Sequence, residues 1–143
     1  LEITESAVIM DVPKQAALIE KLQAEGFIVE MDDFGSGYSS LNTLKDIPVD
    51  ILKLDMKFME KSKNTKRSGD IVQMVVAMAD KLGMPVIAEG VETKEQADFL
   101  GRIGCDIIQG YYYAKPMSME EFEQLLNKYP YRDIVQKGIG NDI

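Results

Sequence analysis

The chain contains no histidine, and this absence removes several classes of enzyme from consideration. A Ser-His-Asp triad, an acid/base pair built on histidine and a histidine-rich zinc site are all excluded. Cysteine is almost as scarce. The single residue Cys105 cannot form an internal disulfide, and nothing in the sequence indicates an oxidising compartment. We therefore expect a cytoplasmic location, and leave open whether a longer parent protein is anchored in a membrane.

Positive charge is also in short supply. Lys and Arg number 16 against 24 Asp and Glu, which gives a net charge of -8. This balance argues against a protein that coats a nucleic acid polymer through backbone electrostatics. An anionic substrate would need local cations instead, either bound metal ions or a few well-placed lysines. No apolar run approaches the roughly 20 residues of a membrane span, so no membrane segment is predicted in this chain.

Two further features are missing at the start of the sequence. The chain opens with Leu1 rather than methionine, and residues 1–5 already have the pattern of a strand, with no cleavable signal before them. We therefore expect this chain to be a piece of a longer protein. The first predicted strand is not followed by GxGxxG, so a dinucleotide-binding fold has no direct support.

Short apolar segments alternate with helical periodicity along the chain. Strands are predicted over residues 1–4, 27–31, 49–54, 85–88 and 106–109. Helices are predicted over 13–24, 39–46, 70–82, 93–103 and 118–127, the last two with capping boxes that start at Thr93 and Ser118. Such an alternation implies an α/β fold with parallel strands joined by right-handed crossovers, in a sheet that is either open or closed into a barrel.

Three other segments have simpler interpretations. The lysine-rich stretch 60–69 is predicted to be a surface loop. Met74, Met78 and Met84 are predicted to be core residues. The tail 129–143 has no clear period and is predicted to be a loosely attached C-terminal extension of a domain that spans 1–128.

Every predicted strand carries a charged or polar residue, on all but the first near the carboxyl end. These residues are Glu2, Asp32, Asp33, Lys53, Asp55, Glu89 and Gln109. In parallel α/β proteins that end of the sheet binds ligands, and a sheet buried on both faces tolerates such groups only when they are paired or bind something. Carboxylates that converge with one lysine repel each other, and divalent cations relieve the repulsion. Oxygen ligands alone favour magnesium, manganese or calcium over zinc.

Each of these signals also has a plain structural explanation. Asp32–Gly35 could form a turn with a helix cap, Glu89–Gly90 could begin a loop, and Lys53 could pair with a structural carboxylate. The tyrosine run 111–113 is more typical of core and rim packing than of a platform for base stacking. The joint pattern, a polar residue on every predicted strand, favours the functional interpretation.

Several segments, taken in order, resemble the EAL family of bacterial cyclic di-GMP phosphodiesterases. The matching segments are Leu1–Glu5, Asp32–Leu41, Leu52–Asp55, Ile87–Glu92 and Gln109–Pro116. The resemblance runs from Leu1 to about Leu126. It implies hydrolysis of cyclic di-GMP to the linear dinucleotide in second-messenger signalling. It also implies a partial TIM-like (β/α) barrel with about five of eight βα units and a site at the C-terminal rim, so residues 1–128 would be the C-terminal part of an EAL domain.

The resemblance implies a role for each matched position. Glu2, Asp32, Asp33 and Glu89 match ligands of two divalent cations, Mg²⁺ or Mn²⁺, with Ca²⁺ inhibitory and Asp32 as the bridge. The catalytic positions are Lys53, Glu89 and Gln109. Lys53 matches the lysine that holds or helps to deprotonate the attacking water, and Gln109 matches a group that orients water. Supporting and substrate positions are Glu5, Glu92, the loop glycines Gly35 and Gly37, and Tyr111, Lys115 and Pro116.

The family's namesake Glu-Ala-Leu motif does not occur in this sequence. Its glutamate is a metal ligand, and an asparagine ligand and a nucleotide-binding arginine are expected upstream of Leu1 as well. We therefore expect the isolated chain to have little or no activity. An incomplete barrel exposes apolar surface and sheet edges, so we expect a homodimer or other self-association. A non-catalytic receptor or interaction module, and a barrel acting on another phosphoester, remain the alternatives.

Overall fold

The strands form one parallel sheet in the computed structural model, which describes residues 1–9, 11–35, 41–57, 65–105 and 107–128. The strands are β1 (Glu2–Thr4), β2 (Glu30–Phe34), β3 (Ile51–Asp55), β4 (Val86–Glu89) and β5 (Ile107–Ile108). They lie side by side in chain order, and every described pair is parallel. The predicted parallel α/β fold is confirmed. Within the described residues the sheet is open, with β1 and β5 at its edges.

Helices join the strands and follow the last one. They are α1 (Glu5–Ile9), α2 (Val12–Ala24), α3 (Leu41–Asp46), α4 (Thr65–Lys81), α5 (Lys94–Arg102) and α6 (Met119–Lys128). Both predicted capping boxes are present: Thr93 exchanges hydrogen bonds with Gln96, and Ser118 does so with Glu121. No helix among the described residues is long and apolar enough to cross a membrane. The predicted extension 129–143 lies outside the described residues.

The second strand begins at Glu30, three residues later than predicted. The amide of Val29 donates to a side-chain oxygen of Asp50 at 2.8 Å instead of joining the ladder. The strand also continues as far as Phe34, three residues beyond its predicted end, so the pair Asp32–Asp33 lies inside it. A side-chain acceptor from a distant part of the chain therefore sets the start of this strand.

The predicted loop at 60–69 is wrong for its second half, because α4 begins at Thr65; residues 60–64 lie outside the described part. Ser68 is buried, and a Cβ at Gly69 would lie 3.6 Å from the ring of Phe99 in α5. Packing against a neighbouring helix thus keeps a polar stretch helical, which local propensity does not show.

Alternate residues of the strands pack into the core. The buried set includes Met31, Leu52, Leu54, Val86 and Ala88. The residues between them, such as Ile51 and Ile87, are only partly buried, and Ile107 on β5 is 47% exposed. One face of the described sheet is therefore buried, and the other is partly covered except at Lys53, which is buried as well. The prediction for the methionines is wrong at Met74, which is 72% exposed, whereas Met84 is buried.

The loops that follow β4 and β5 cross at Gly110. A Cβ at this position would overlap the backbone of Val91, including its carbonyl oxygen. The Val91 amide donates to the carbonyl of Gln109 at 3.1 Å, and the Tyr112 amide donates to the carbonyl of Val91 at 3.0 Å. The close approach requires glycine, and it fixes the backbone of Gln109 beside the end of β4.

Glu5, the first residue of α1, is a buried carboxylate that is 3% exposed. Its Oε2 accepts a hydrogen bond from the amide of Gly35, which follows β2, at 3.1 Å. Among the described residues its Oε1 has no hydrogen-bond partner. The contact holds the start of the loop after β2. Residues 36–40 of that loop, the predicted loop glycine Gly37 included, lie outside the described part.

We expect Gly110→Ala to lower the free energy of unfolding by about 3 kcal/mol, because the new methyl group overlaps backbone atoms that cannot move aside. Gly101→Ala is the matched control. A Cβ at Gly101, which lies in α5, would meet nothing within 4 Å, so its stability should be unchanged or up to about 1 kcal/mol higher. Urea denaturation measures both variants, and equal stabilities would contradict the crossing of the two loops.

We expect Glu5→Ala to cost about 1–3 kcal/mol of stability, because it leaves the part-buried amide of Gly35 without its acceptor. The same amide should exchange its hydrogen faster in ¹⁵N-edited NMR spectra. Glu5→Gln keeps a side-chain oxygen and should change both quantities less. A Gly35 amide that exchanges no faster in Glu5→Ala would show that this bond does not hold the loop.

Candidate functional site

The ammonium group of Lys53 lies among carboxylates contributed by the other strands. Lys53 is the middle residue of β3 and is 7% exposed. Its Nζ is 2.8 Å from Glu2 Oε1, 3.2 Å from Asp32 Oδ1 and 3.0 Å from Glu89 Oε1. An ammonium group has three N–H donors, and three carboxylates surround this one. The parallel order of β1 to β4 thus brings together predicted site residues that are far apart in the sequence.

Two opposing effects act on the pKa of Lys53. Burial lowers the pKa, because removal from water disfavours the charged form. Hydrogen bonds to Glu2, Glu89 and Asp32 raise the pKa, and together they outweigh burial, so the pKa lies above the usual value for lysine. In this arrangement Lys53 stays positively charged at neutral pH and donates hydrogen bonds rather than accepting a proton.

The chemistry of this cluster fits a divalent cation. Three carboxylates and one ammonium leave two uncompensated negative charges. All the donors are carboxylate oxygens, which hard cations such as Mg²⁺ and Mn²⁺ prefer. Within the described residues, however, no three acidic side chains are placed so that they could hold a metal ion as they stand. Lys53 lies between them and engages one oxygen of each carboxylate.

The backbone is distorted at the pair Asp32–Asp33. The register of β2 against β3 shifts between Met31 and Phe34. Asp33 has a φ of 58°, and its amide donates to Oδ1 of Asp32 at 3.0 Å. Left-handed backbone is unusual for a residue other than glycine and is concentrated at functional sites. Asp32 reaches Lys53, whereas Asp33 is exposed and takes no part in the described ion pairs.

Asp55 belongs to the same rim, although no role was predicted for it. It ends β3, and its Cα pairs with that of Glu89, the last residue of β4. Its Oδ1 accepts a hydrogen bond from the amide of Lys57 at 2.8 Å. It would also lie 3.5 Å from a Cβ placed at Gly90. Strand alternation, which puts Asp55 on the same face as Lys53, is the signal that already places it among the polar residues at the strand ends.

Gln109 and Glu92 lie in the loops just beyond the strand ends. The amide of Gln109 donates to the carbonyl of Ala88 at 2.8 Å, and the amide of Glu92 donates to Oε1 of Gln96 at 2.8 Å. Both residues are exposed. Their backbones lie near the end of β4, but neither side chain takes part in the described ion pairs of Lys53.

A cleft of about 350 Å³ adjoins Gln109 and contains all three predicted substrate contacts, Tyr111, Lys115 and Pro116. Tyr111 is 56% exposed, and Nζ of Lys115 lies 5.9 Å from its ring centroid. Tyr112, by contrast, is buried, as the packing interpretation of the tyrosine run predicted. The cleft therefore combines an open aromatic ring with a cation, next to Gln109 at the end of β5.

Comparison with known proteins identifies the family. The profile of the family described as "EAL domain" matches residues 1–116. The cyclic di-GMP phosphodiesterase NbdA of Pseudomonas aeruginosa is 40% identical over 129 residues, which are 90% of this chain and 16% of that relative. This chain therefore spans only a small part of that relative's length.

Solved structures agree with this comparison. The EAL domain of Mycobacterium smegmatis DcpA has a TM-score of 0.77 and 43% identity, over 90% of this chain and 57% of that one. A manganese and cyclic di-GMP complex of Klebsiella pneumoniae BlrP1 has a TM-score of 0.73 and 33% identity, over 80% of this chain and 29% of that one. EAL domains are TIM-barrel-like, so the predicted partial barrel is confirmed, with a sheet that is not closed among the described residues. EAL domains are also metal-dependent. The chain belongs to the EAL domain family.

Proposed function

We propose that this chain is the C-terminal part of a cytoplasmic phosphodiesterase domain that opens cyclic di-GMP to the linear dinucleotide in bacterial second-messenger signalling. The observation that carries the proposal is the cluster of Glu2, Asp32 and Glu89 around Lys53, at the ends of adjacent strands. Relatives such as NbdA are named cyclic di-GMP phosphodiesterases. The domain corresponds to residues 1–128, and 129–143 form an extension to it.

Two divalent cations, Mg²⁺ or Mn²⁺, are part of the proposal, with Glu2, Asp32, Asp33 and Glu89 as ligands in this chain and Asp32 as the bridge. The oxygen-only donor set and its excess negative charge support this assignment. When bound, such cations activate water and offset the charge of the phosphodiester. Ca²⁺ prefers longer and more numerous bonds, so it is proposed to inhibit.

The remaining residues bind and orient the reactants. Lys53 donates a hydrogen bond that holds the attacking water, and Gln109 orients that water from the loop after β5. Glu5 acts through the amide of Gly35 on the loop that contains Gly37. Glu92 supports the adjacent loop between β4 and α5, where its amide is held by the capping side chain.

The cleft beside Gln109 is proposed to receive part of the nucleotide. The exposed ring of Tyr111 offers a face on which a base can stack. Lys115 supplies a positive charge next to that ring, which suits a phosphate or the edge of a base. Pro116 contributes to the wall of the cleft.

The proposal predicts metal-dependent hydrolysis of cyclic di-GMP by the intact parent domain, measured by chromatography of the linear product. Turnover should need Mg²⁺ or Mn²⁺ and fall when Ca²⁺ is added. Asp32→Asn should lower turnover by about 100-fold or more, because it removes the charge of a bridging ligand. Asp70→Asn, on the exposed surface of α4, makes the same chemical change as a control and should leave turnover unaltered.

The 143-residue chain alone should show little or no turnover in the same assay, because the Glu-Ala-Leu ligand is not part of it. Turnover by this chain comparable to that of the intact domain would contradict the expectation. Binding of cyclic di-GMP by the intact domain without hydrolysis would overturn the phosphodiesterase proposal in favour of the receptor alternative.

We also infer that the 143-residue chain self-associates, because its described sheet has two open edges. Leu1 beside β1 is 55% exposed, and Ile107 on β5 is 47% exposed. The helix α6 adds Met119 and Phe122, both exposed. Open edges flanked by apolar side chains favour pairing between copies. Light scattering should therefore give a dimer or a larger species; a stable monomer with a cooperative melt would contradict this.

A further inference from the structure

The ammonium group of Lys53 is enclosed by carboxylates: it donates a hydrogen bond to Glu2 and lies at ion-pair distance from Asp32 and Glu89. Its three N–H donors face three carboxylate oxygens at 2.8 to 3.2 Å. The proposed function asks the same group to hold the attacking water. That role requires a donor that is not already engaged, so at least one carboxylate has to release the ammonium before the water can bind to it.

A divalent cation is what can release the ammonium. Among the described residues no three acidic side chains are placed to hold a metal ion, and one oxygen of each of Glu2, Asp32 and Glu89 lies against Lys53. A cation that draws these carboxylates together therefore competes with the ammonium group for them. The lysine side chain is 9% exposed, whereas those of the carboxylates are 57%, 22% and 24% exposed. The cation therefore approaches from the open rim, with the lysine on the buried side of the cluster.

We propose that Lys53 is a positioning residue that acts as a built-in counter-cation: it holds the three carboxylates together, competes with divalent cations for their oxygens, and gains a donor for the water when a cation displaces it. This inference rests on the proposed function. It means that a divalent cation has to bind first, and that Lys53 can hold the attacking water only after the cation has displaced it.

The test is the affinity for Mn²⁺ alone, without nucleotide, measured on the full 143-residue chain from the EPR signal of free Mn²⁺. Lys53→Met removes the competing charge but keeps the apolar stem. It should tighten Mn²⁺ binding by at least about ten-fold, because the carboxylates lose their internal counter-ion. Lys57→Met removes an exposed lysine two residues beyond β3, and should change the affinity by less than about two-fold, since exposed charges are screened.

An unchanged or weaker affinity in Lys53→Met would overturn the inference, because it would mean that the lysine assists the cation rather than competing with it. Removal of the counter-ion should also destabilise this variant in chelator. If it is unfolded there, far-UV circular dichroism should show recovery of secondary structure as Mn²⁺ is added; no recovery at any concentration would likewise overturn the inference. Lys53→Gln repeats both measurements with a polar side chain.

The two proposals fail separately. Tighter Mn²⁺ binding by Lys53→Met, together with no hydrolysis of cyclic di-GMP by the intact domain, would overturn the phosphodiesterase proposal. It would still support the competition between Lys53 and divalent cations. Hydrolysis by the intact domain without tighter Mn²⁺ binding in Lys53→Met would support the phosphodiesterase proposal and overturn the competition.

Discussion

A buried ammonium ion is unstable unless acidic groups surround it, and Lys53 has three of them within 3.2 Å. Those acids come from three other strands, so the cluster exists only while β1 to β4 keep their register. A slip of one residue in any of these strands would turn its acid towards the core face of the sheet. The charge cluster and the strand register therefore depend on each other, and the rest of the candidate site is arranged around them.

The rim that surrounds the cluster depends on unusual backbone geometry. Asp33 adopts a positive φ within a strand that has shifted register, and Gly90 turns the chain directly after Glu89. Gly110 allows the loops after β4 and β5 to cross at contact distance. At these positions the backbone departs from regular strand geometry. As a result, the acidic side chains, Gln109 and the aromatic cleft all lie at the same end of the sheet.

Much of this arrangement could be predicted from the sequence, because strand alternation and parallel order follow from local patterns. They placed Lys53 with Asp55 and predicted a site at the strand ends. Other features depend on contacts between distant segments: the side chain of Asp50 sets the start of β2, and Phe99 packs against the polar first turns of α4. Likewise the exposure of Met74 depends on which elements cover its helix. The positive φ of Asp33 has no local signature.

The central claim is that the strand ends of this chain bind divalent cations through the carboxylates that now hold Lys53. Anomalous diffraction from crystals of the chain grown with Mn²⁺ tests it most directly, since manganese is located without reference to activity. The account predicts an anomalous peak in contact with Asp32 and Glu89, with Nζ of Lys53 displaced from at least one carboxylate. A strong peak elsewhere, or none at the rim in manganese-saturated crystals, would contradict it.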